Sequence, residues 1–162
     1  MIRNPLRSTA LFALLSLAAG ACLAETADLS TKFWPRAGCT VGDVRHTGAE
    51  RWVEARGFGE MNAPDEQVHT VLDDNGPASA LRVVLSVDAL SNISRIEVRD
   101  AQGNWEPVWS GPYRDAAPAG CTTVWFERTL PGTPKLINAV RLGFVPGKPH
   151  TMAGAPGLLR VR

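Results

Sequence analysis

The chain has 162 residues, with 17 Lys and Arg against 16 Asp and Glu and a formal net charge of +1. That length suits one domain able to bury its own core without a metal, and the balanced charge argues against a nucleic-acid partner, which needs a basic patch or stripe. With 15 Gly and 12 Pro, long helices have little room. At the N-terminus, Arg3 and Arg7 precede the uncharged apolar run Ala10 to Ala21, and small residues lead to Ala24. A basic start, a short apolar stretch and a small-residue cleavage site predict a secretory signal peptide over residues 1–24. The run is shorter than the roughly 20 apolar residues of a membrane span, and no second long apolar stretch follows. The protein is therefore expected to be exported, periplasmic or secreted, with no transmembrane segment in its mature form.

The cysteines fit export. Cleavage after Ala24 removes Cys22 and leaves Cys39 and Cys121. An even pair in an exported domain predicts a disulfide, the alternative being two buried thiols. Cys22 has a second reading. Leu17-Ala-Ala-Gly-Ala-Cys22 resembles a bacterial lipobox, with Ala19 where a leucine is usual. Lipidation of Cys22 would make the protein a membrane-anchored lipoprotein rather than a soluble one.

Residues 25–45 lack periodicity and predict an irregular entry segment pinned by Cys39. From residue 46 to 162 short apolar runs recur. They are Arg51–Arg56, Val68–Leu72, Ala80–Val87, Ile93–Arg99, Trp105–Trp109, Thr122–Thr129, Leu136–Val145 and Leu158–Val161. In Ala80–Val87, the residues Leu81, Val83, Leu85 and Val87 share one face. In Ile93–Arg99, Ile96 and Val98 oppose Arg95, Glu97 and Arg99. Asp73 to Pro77, Asp100 to Asn104 and several Pro-Gly clusters separate the runs, and the Gly103 connection predicts a hairpin. One helical turn is expected within Ala63–Val71. Trp105 and Trp109 are expected on one strand face, and most of the five tryptophans in the core. About eight strands with regular turns predict an all-β, antiparallel β-sandwich.

Five short motifs carry a resemblance to a family. Ser94 to Asp100 (SRIEVRD), Gly103-Asn-Trp105 and Val108-Trp-Ser-Gly111 together resemble the central strands of discoidin-like domains, the coagulation-factor C-type and galactose-binding-like jelly rolls. Ile137 to Phe144 (INAVRLGF) is similar to a later strand of that family. Leu72-Asp-Asp-Asn75 resembles its loop before a tryptophan, although Ala78-Ser-Ala80 stands where that tryptophan belongs. The resemblance spans about residues 68–162. It implies a jelly roll, end loops that bind sugars, lipid head groups or proteins, an occasional structural calcium, and no catalysis. Fold analogy alone licenses none of these activities.

Two clusters are candidate sites. Trp34, Arg36, Trp52 and Arg56 combine indole planes, which stack on sugar faces, with guanidinium forks for hydroxyls or carboxylates. Trp52, Glu54 and Arg56 share one strand face. The plain alternative is core tryptophan with rim charges. Asp73, Asp74 and Asn75 offer oxygens for calcium, against the alternative of a polar turn bonded to its own backbone. His46, His69 and His150 lack metal-ligand spacing. Neither a G-x-S-x-G elbow nor a phosphate-binding glycine loop is present. The expected function is an exported, non-catalytic module that binds a carbohydrate or another cell-envelope component. The alternative is an interaction subunit of an exported complex with no small ligand.

Overall fold

Alternation of apolar and polar residues sets the layers of this protein. The computed structural model describes residues 34–49, 51–55, 59–72, 76–150 and 152–160. They form β1 (Thr40–Gly42), β2 (Trp52–Glu54), β3 (Gly59–Ala63), β4 (Glu66–Thr70), β5 (Ala78–Ser86), α1 (Val87–Asn92), β6 (Ile93–Asp100), β7 (Trp105–Ser110), β8 (Thr123–Thr129), β9 (Ile137–Phe144) and β10 (Met152–Arg160). Two five-stranded sheets result. Sheet A has the order β1-β8-β5-β10-β2 and sheet B the order β3-β4-β9-β6-β7. β1 runs parallel to β8, and the other ladders are antiparallel.

Both sheets turn one face inward. Leu81, Val83 and Leu85 of β5, Val124 and Phe126 of β8, and Leu158 of β10 come from sheet A. Ile96 and Val98 of β6, and Val140, Leu142 and Phe144 of β9, come from sheet B. All belong to one buried cluster, so the chain is a β-sandwich whose two inner faces make its core. The opposite residues, Arg82 on β5 and Arg95, Glu97 and Arg99 on β6, are less buried, as the alternation requires. The hairpin at residues 100–104 forms as expected. Gly103 adopts φ 89°, and Asp100 accepts backbone N–H bonds from Gln102 and Asn104 through Oδ1. Those bonds, that of Asn104 first, hold its carboxyl below the ordinary value.

Four expectations need correction. The number of strands among the described residues is ten, because β1 and β3 carry no alternation to reveal them. The strand expected from Val68 forms and begins at Glu66 as β4, and no helical turn forms among the described residues of Ala63–Val71. A Pro64-Asp65 turn reverses β3 into β4, and a Pro at that place suits a tight turn. The helix is instead α1, six residues that carry the chain from sheet A to sheet B. Ser86 caps it by accepting from Ala89 N at 3.0 Å, and Ala89 and Leu90 bury its inner side. Finally, none of the five tryptophans is fully buried. Trp105 and Trp109 face opposite ways because the β6–β7 register slips between Ile96 and Glu97, where Pro107 interrupts the ladder. Trp105 then stacks under Arg141 on the outside, while Trp109 packs edge-on to Phe126 at 5.5 Å.

Candidate functional site

Register on sheet A gathers an aromatic and charged row on its outer face. Arg82 of β5 pairs with Glu127 of β8 on one side and Gly157 of β10 on the other, and Gly157 pairs with Glu54 of β2. Trp125 and Trp52 lie diagonally across from Arg82. Its guanidinium carbon sits 4.0 Å from the Trp125 ring centroid and 4.8 Å from that of Trp52, a cation–π sandwich. Gly157 permits this. A Cβ there would meet Arg82 Cγ and Nε at 3.0 Å, so the side chain lies across bare backbone. Burial pulls the Arg82 guanidinium below its ordinary value, and the fields of Glu127 and Glu54 pull it back up. Arg82 Nε and Trp52 Nε1 are buried without a hydrogen-bond partner.

Glu127 is the unusual member. It is 2% exposed, and a buried carboxylate must be compensated. His46 Nε2 lies 2.6 Å from its Oε2. Asp43 fastens the same covering segment to β8. Its N donates to Glu127 O at 3.1 Å, its Oδ1 accepts from Thr129 N at 2.8 Å, and its Oδ2 lies 3.1 Å from Arg128 Nη2. Gly42 makes the approach possible, since at φ 133° its missing Cβ would collide with Glu127 O.

Trp34 extends the row. Its ring meets Trp125 edge-on with centroids 5.9 Å apart, and it is 42% exposed. Cys39 and Cys121 are disulfide-bonded with Cα atoms 5.8 Å apart. That bond ties the segment bearing Trp34 and Arg36 to the start of β8. Between the two segments lies a cleft of about 110 Å³ lined by Trp34, Arg36, Thr122 and Thr123, with the disulfide and Gly120 completing it. Arg36 is exposed and has no ion-pair partner among the described residues. The cleft thus offers an indole face, a free guanidinium and two hydroxyls.

The structure brings together only some of the candidate residues. Trp34 and Arg36 share the cleft. Trp52 and Glu54 share the outer face of sheet A as expected, but Trp52 lies half-buried against Arg82, away from the cleft. Arg56, Asp73, Asp74, Asn75 and Cys22 fall outside the described residues, as does the segment 1–24. Among the described residues no cluster of His, Cys, Asp or Glu is placed to hold a metal, and no helix is long and apolar enough to cross a membrane. The sequence puts Cys121, Thr123 and Trp125 on one strand face but names none of Trp125, Arg82, Thr122 and Thr123 as site residues. A signal for Trp125 existed. In Thr123 to Thr129 it alternates with Val124 and Phe126 and shares its side with Glu127, which marks the outward face.

A second, larger cleft of about 500 Å³ lies beside Trp109, Tyr113, Arg114, Asp115 and Arg128. Three of its wall residues pack on one another or on the core. Trp109 Nε1 donates to Gly111 O at 2.5 Å, and Arg128 stacks over Trp109 at 4.5 Å. Tyr113 packs on Phe126 at 5.6 Å, and burial followed by the Asp115 charge raises its phenol above the ordinary value. No family model, curated protein or solved structure matches this chain.

Proposed function

We propose that this chain is an exported, non-catalytic binding module of the discoidin-like, jelly-roll kind, and that it takes up carbohydrate or another cell-envelope component. The observation that carries this reading is Trp34. A large indole left 42% open to solvent, braced by Trp125 and set beside Arg36 and two threonine hydroxyls, is the arrangement that stacks a sugar ring and hydrogen-bonds its edge. The disulfide supports it by fixing both walls before a ligand arrives, which lowers the ordering entropy of binding. Export rests on the signal peptide, removed after Ala24, with Cys22 lipidation as its alternative. The mass of the exported product distinguishes the two.

The test is binding of the exported chain to arrayed glycans and cell-wall polysaccharides. Selective binding to one polysaccharide class that Trp34→Ala abolishes, with an unchanged thermal melt, is the expected result. Binding that survives Trp34→Ala removes this cleft from the account. The second reading, an interaction subunit, draws on Leu72 and Leu136, which are 65% and 44% exposed. By the β4–β9 register and the Ala78–Lys135 bridge they share the opposite end of the sandwich. An envelope protein that co-purifies with the chain and is lost on Leu72→Ser with Leu136→Ser would favour that reading.

A further inference from the structure

We infer that the Trp34 cleft selects an acidic saccharide, a sugar ring bearing a carboxylate, over a neutral one; this rests on the carbohydrate-binding reading above. Among the described residues the cleft contains a single formal charge. Of its lining residues, Trp34, Arg36, Cys39, Gly120, Cys121, Thr122 and Thr123, only Arg36 ionises, since both cysteines are bonded to each other.

Among the described arginines, Arg82, Arg95, Arg99, Arg128 and Arg141 are matched by carboxylates or rings, whereas Arg45, Arg51 and Arg114 are exposed with neither and lie outside this cleft. Arg95 pairs with Glu66 and Glu97, Arg141 with Glu97, and Arg128 with Asp43. Arg82 lies between two indoles. Arg36 has neither a carboxylate nor a ring among the described residues, yet it stands beside the one exposed indole. A guanidinium presents its donors as a planar fork that a carboxylate accepts bidentately. Sugar hydroxyls are weaker acceptors and do not need a charge. Thr122 and Thr123 then supply hydroxyls for the ring edge, as donors or acceptors, and Trp34 stacks on its apolar face.

The geometry also limits the occupant. At about 110 Å³ the cleft receives one ring of a chain, so the preference is set residue by residue along a polymer and not by its overall charge. A sulfate ester presents related chemistry, and the experiment separates the two.

Titration calorimetry with the exported chain uses three probes: an oligogalacturonide, the same oligomer reduced at its carboxyls to the neutral sugar, and a sulfated galacto-oligosaccharide. The oligogalacturonide is expected to bind about tenfold or more tightly than the reduced oligomer, the effect of one charge-assisted fork. That preference should shrink as salt is raised. Arg36→Gln should bring the ratio of the two affinities to within about twofold, while Trp34→Ala weakens both probes together.

Equal binding of the acidic and neutral oligomers would overturn the inference and leave the module reading standing. The sulfated oligomer binding as tightly as the oligogalacturonide would overturn the carboxylate assignment. Binding of none of the three, nor of any arrayed glycan, would overturn the carbohydrate reading itself.

Discussion

The two outer faces of the sandwich use one device for opposite ends. On sheet B, Arg95 lies across Gly143, where a Cβ would meet its Cγ at 2.7 Å and Nε at 2.8 Å. On sheet A, Arg82 lies across Gly157 in the same way. Around Arg95 the neighbours are carboxylates. Glu66 and Glu97 flank it, Glu97 bonds Arg141 Nε at 2.7 Å, and Arg99 Nε donates to Asn138 Oδ1 at 2.7 Å. The result is a ladder of alternating charge, with Arg99 and Arg141 also lying over Trp105 at its β7 edge. Around Arg82 the near neighbours are indoles, and the carboxylates act at longer range. The result is a drier shelf, with unpaired N–H groups beneath it and Trp34 at its rim. A guanidinium among carboxylates dissolves a sheet face; among indoles it makes that face into a support.

The disulfide gives the largest test of this contrast, since it secures only the Trp34 side. Closing a loop of 82 residues stabilises by about 4–5 kcal/mol in the chain-entropy model. Cys39→Ala with Cys121→Ala should therefore lower the unfolding free energy by that amount, with a steeper denaturant slope because the uncrosslinked unfolded chain exposes more surface. A loss under about 1 kcal/mol would mean that the unfolded chain gains little from the constraint.

Arg82→Ala against Arg95→Ala comes next. Removing Arg82 strips the packing between Trp52 and Trp125 and withdraws the cation whose field reaches Glu127, a loss of about 2–4 kcal/mol. Arg95 is 46% exposed in its side chain, so its removal should stay within about 0.5 kcal/mol. Equal effects in chemical denaturation would erase the distinction between the faces. The glycines sharpen it further. By distance alone Gly143→Ala is the tighter fit, but Arg95 can swing into water while Arg82 is held between rings. Gly157→Ala should cost about 1–3 kcal/mol and Gly143→Ala close to nothing, because alanine also removes a glycine's unfolded-state entropy. The reverse order of thermal midpoints would show that contact distance, and not the freedom of the neighbour, decides.

Much of the sheet framework was legible in the sequence, because β5, β6, β8 and β9 each carry period-two alternation and meet in one core. β3, with the sequence GEMNA, has no such pattern, and six residues of α1 are too few for a helical period, although Ser86 followed by Asp88 was a cap signal. The fate of the tryptophans was hidden for another reason. Whether Trp109 points in or out depends on a register slip opposite Pro107, and whether Trp52 meets a ligand or an arginine depends on Gly157, about a hundred positions away in the chain. The pairing of Trp34 with Arg36 was legible because the two are close in sequence. Their cleft was not, since Thr122 and Thr123 reach it only through the disulfide.

The smallest expected effect is a pH slope, and it arises because the faces hide their unpaired nitrogens differently. Sheet A keeps Trp52 Nε1 and Arg82 Nε on its outer side and Arg128 Nε on its inner side, where Arg128 pairs in register with core residue Leu81. Sheet B keeps His69 Nε2, also buried without a partner, on its inner side, since His69 pairs in register with core residue Val140. Of these four groups only His69 titrates near neutrality. Burial lowers its pKa below the ordinary 6.5. The unfolded chain therefore takes up the proton first as pH falls, and by linkage the folded state loses stability from about pH 6.5 downward until the lowered folded value is passed. Above that window the contribution is fully present. His69→Leu, apolar and of similar bulk, should flatten this part of the stability profile while the charge ladder outside it stays intact. A slope between pH 7 and 5.5 that persists in His69→Leu would assign the effect to other groups and leave the inner side of sheet B without a titrating member.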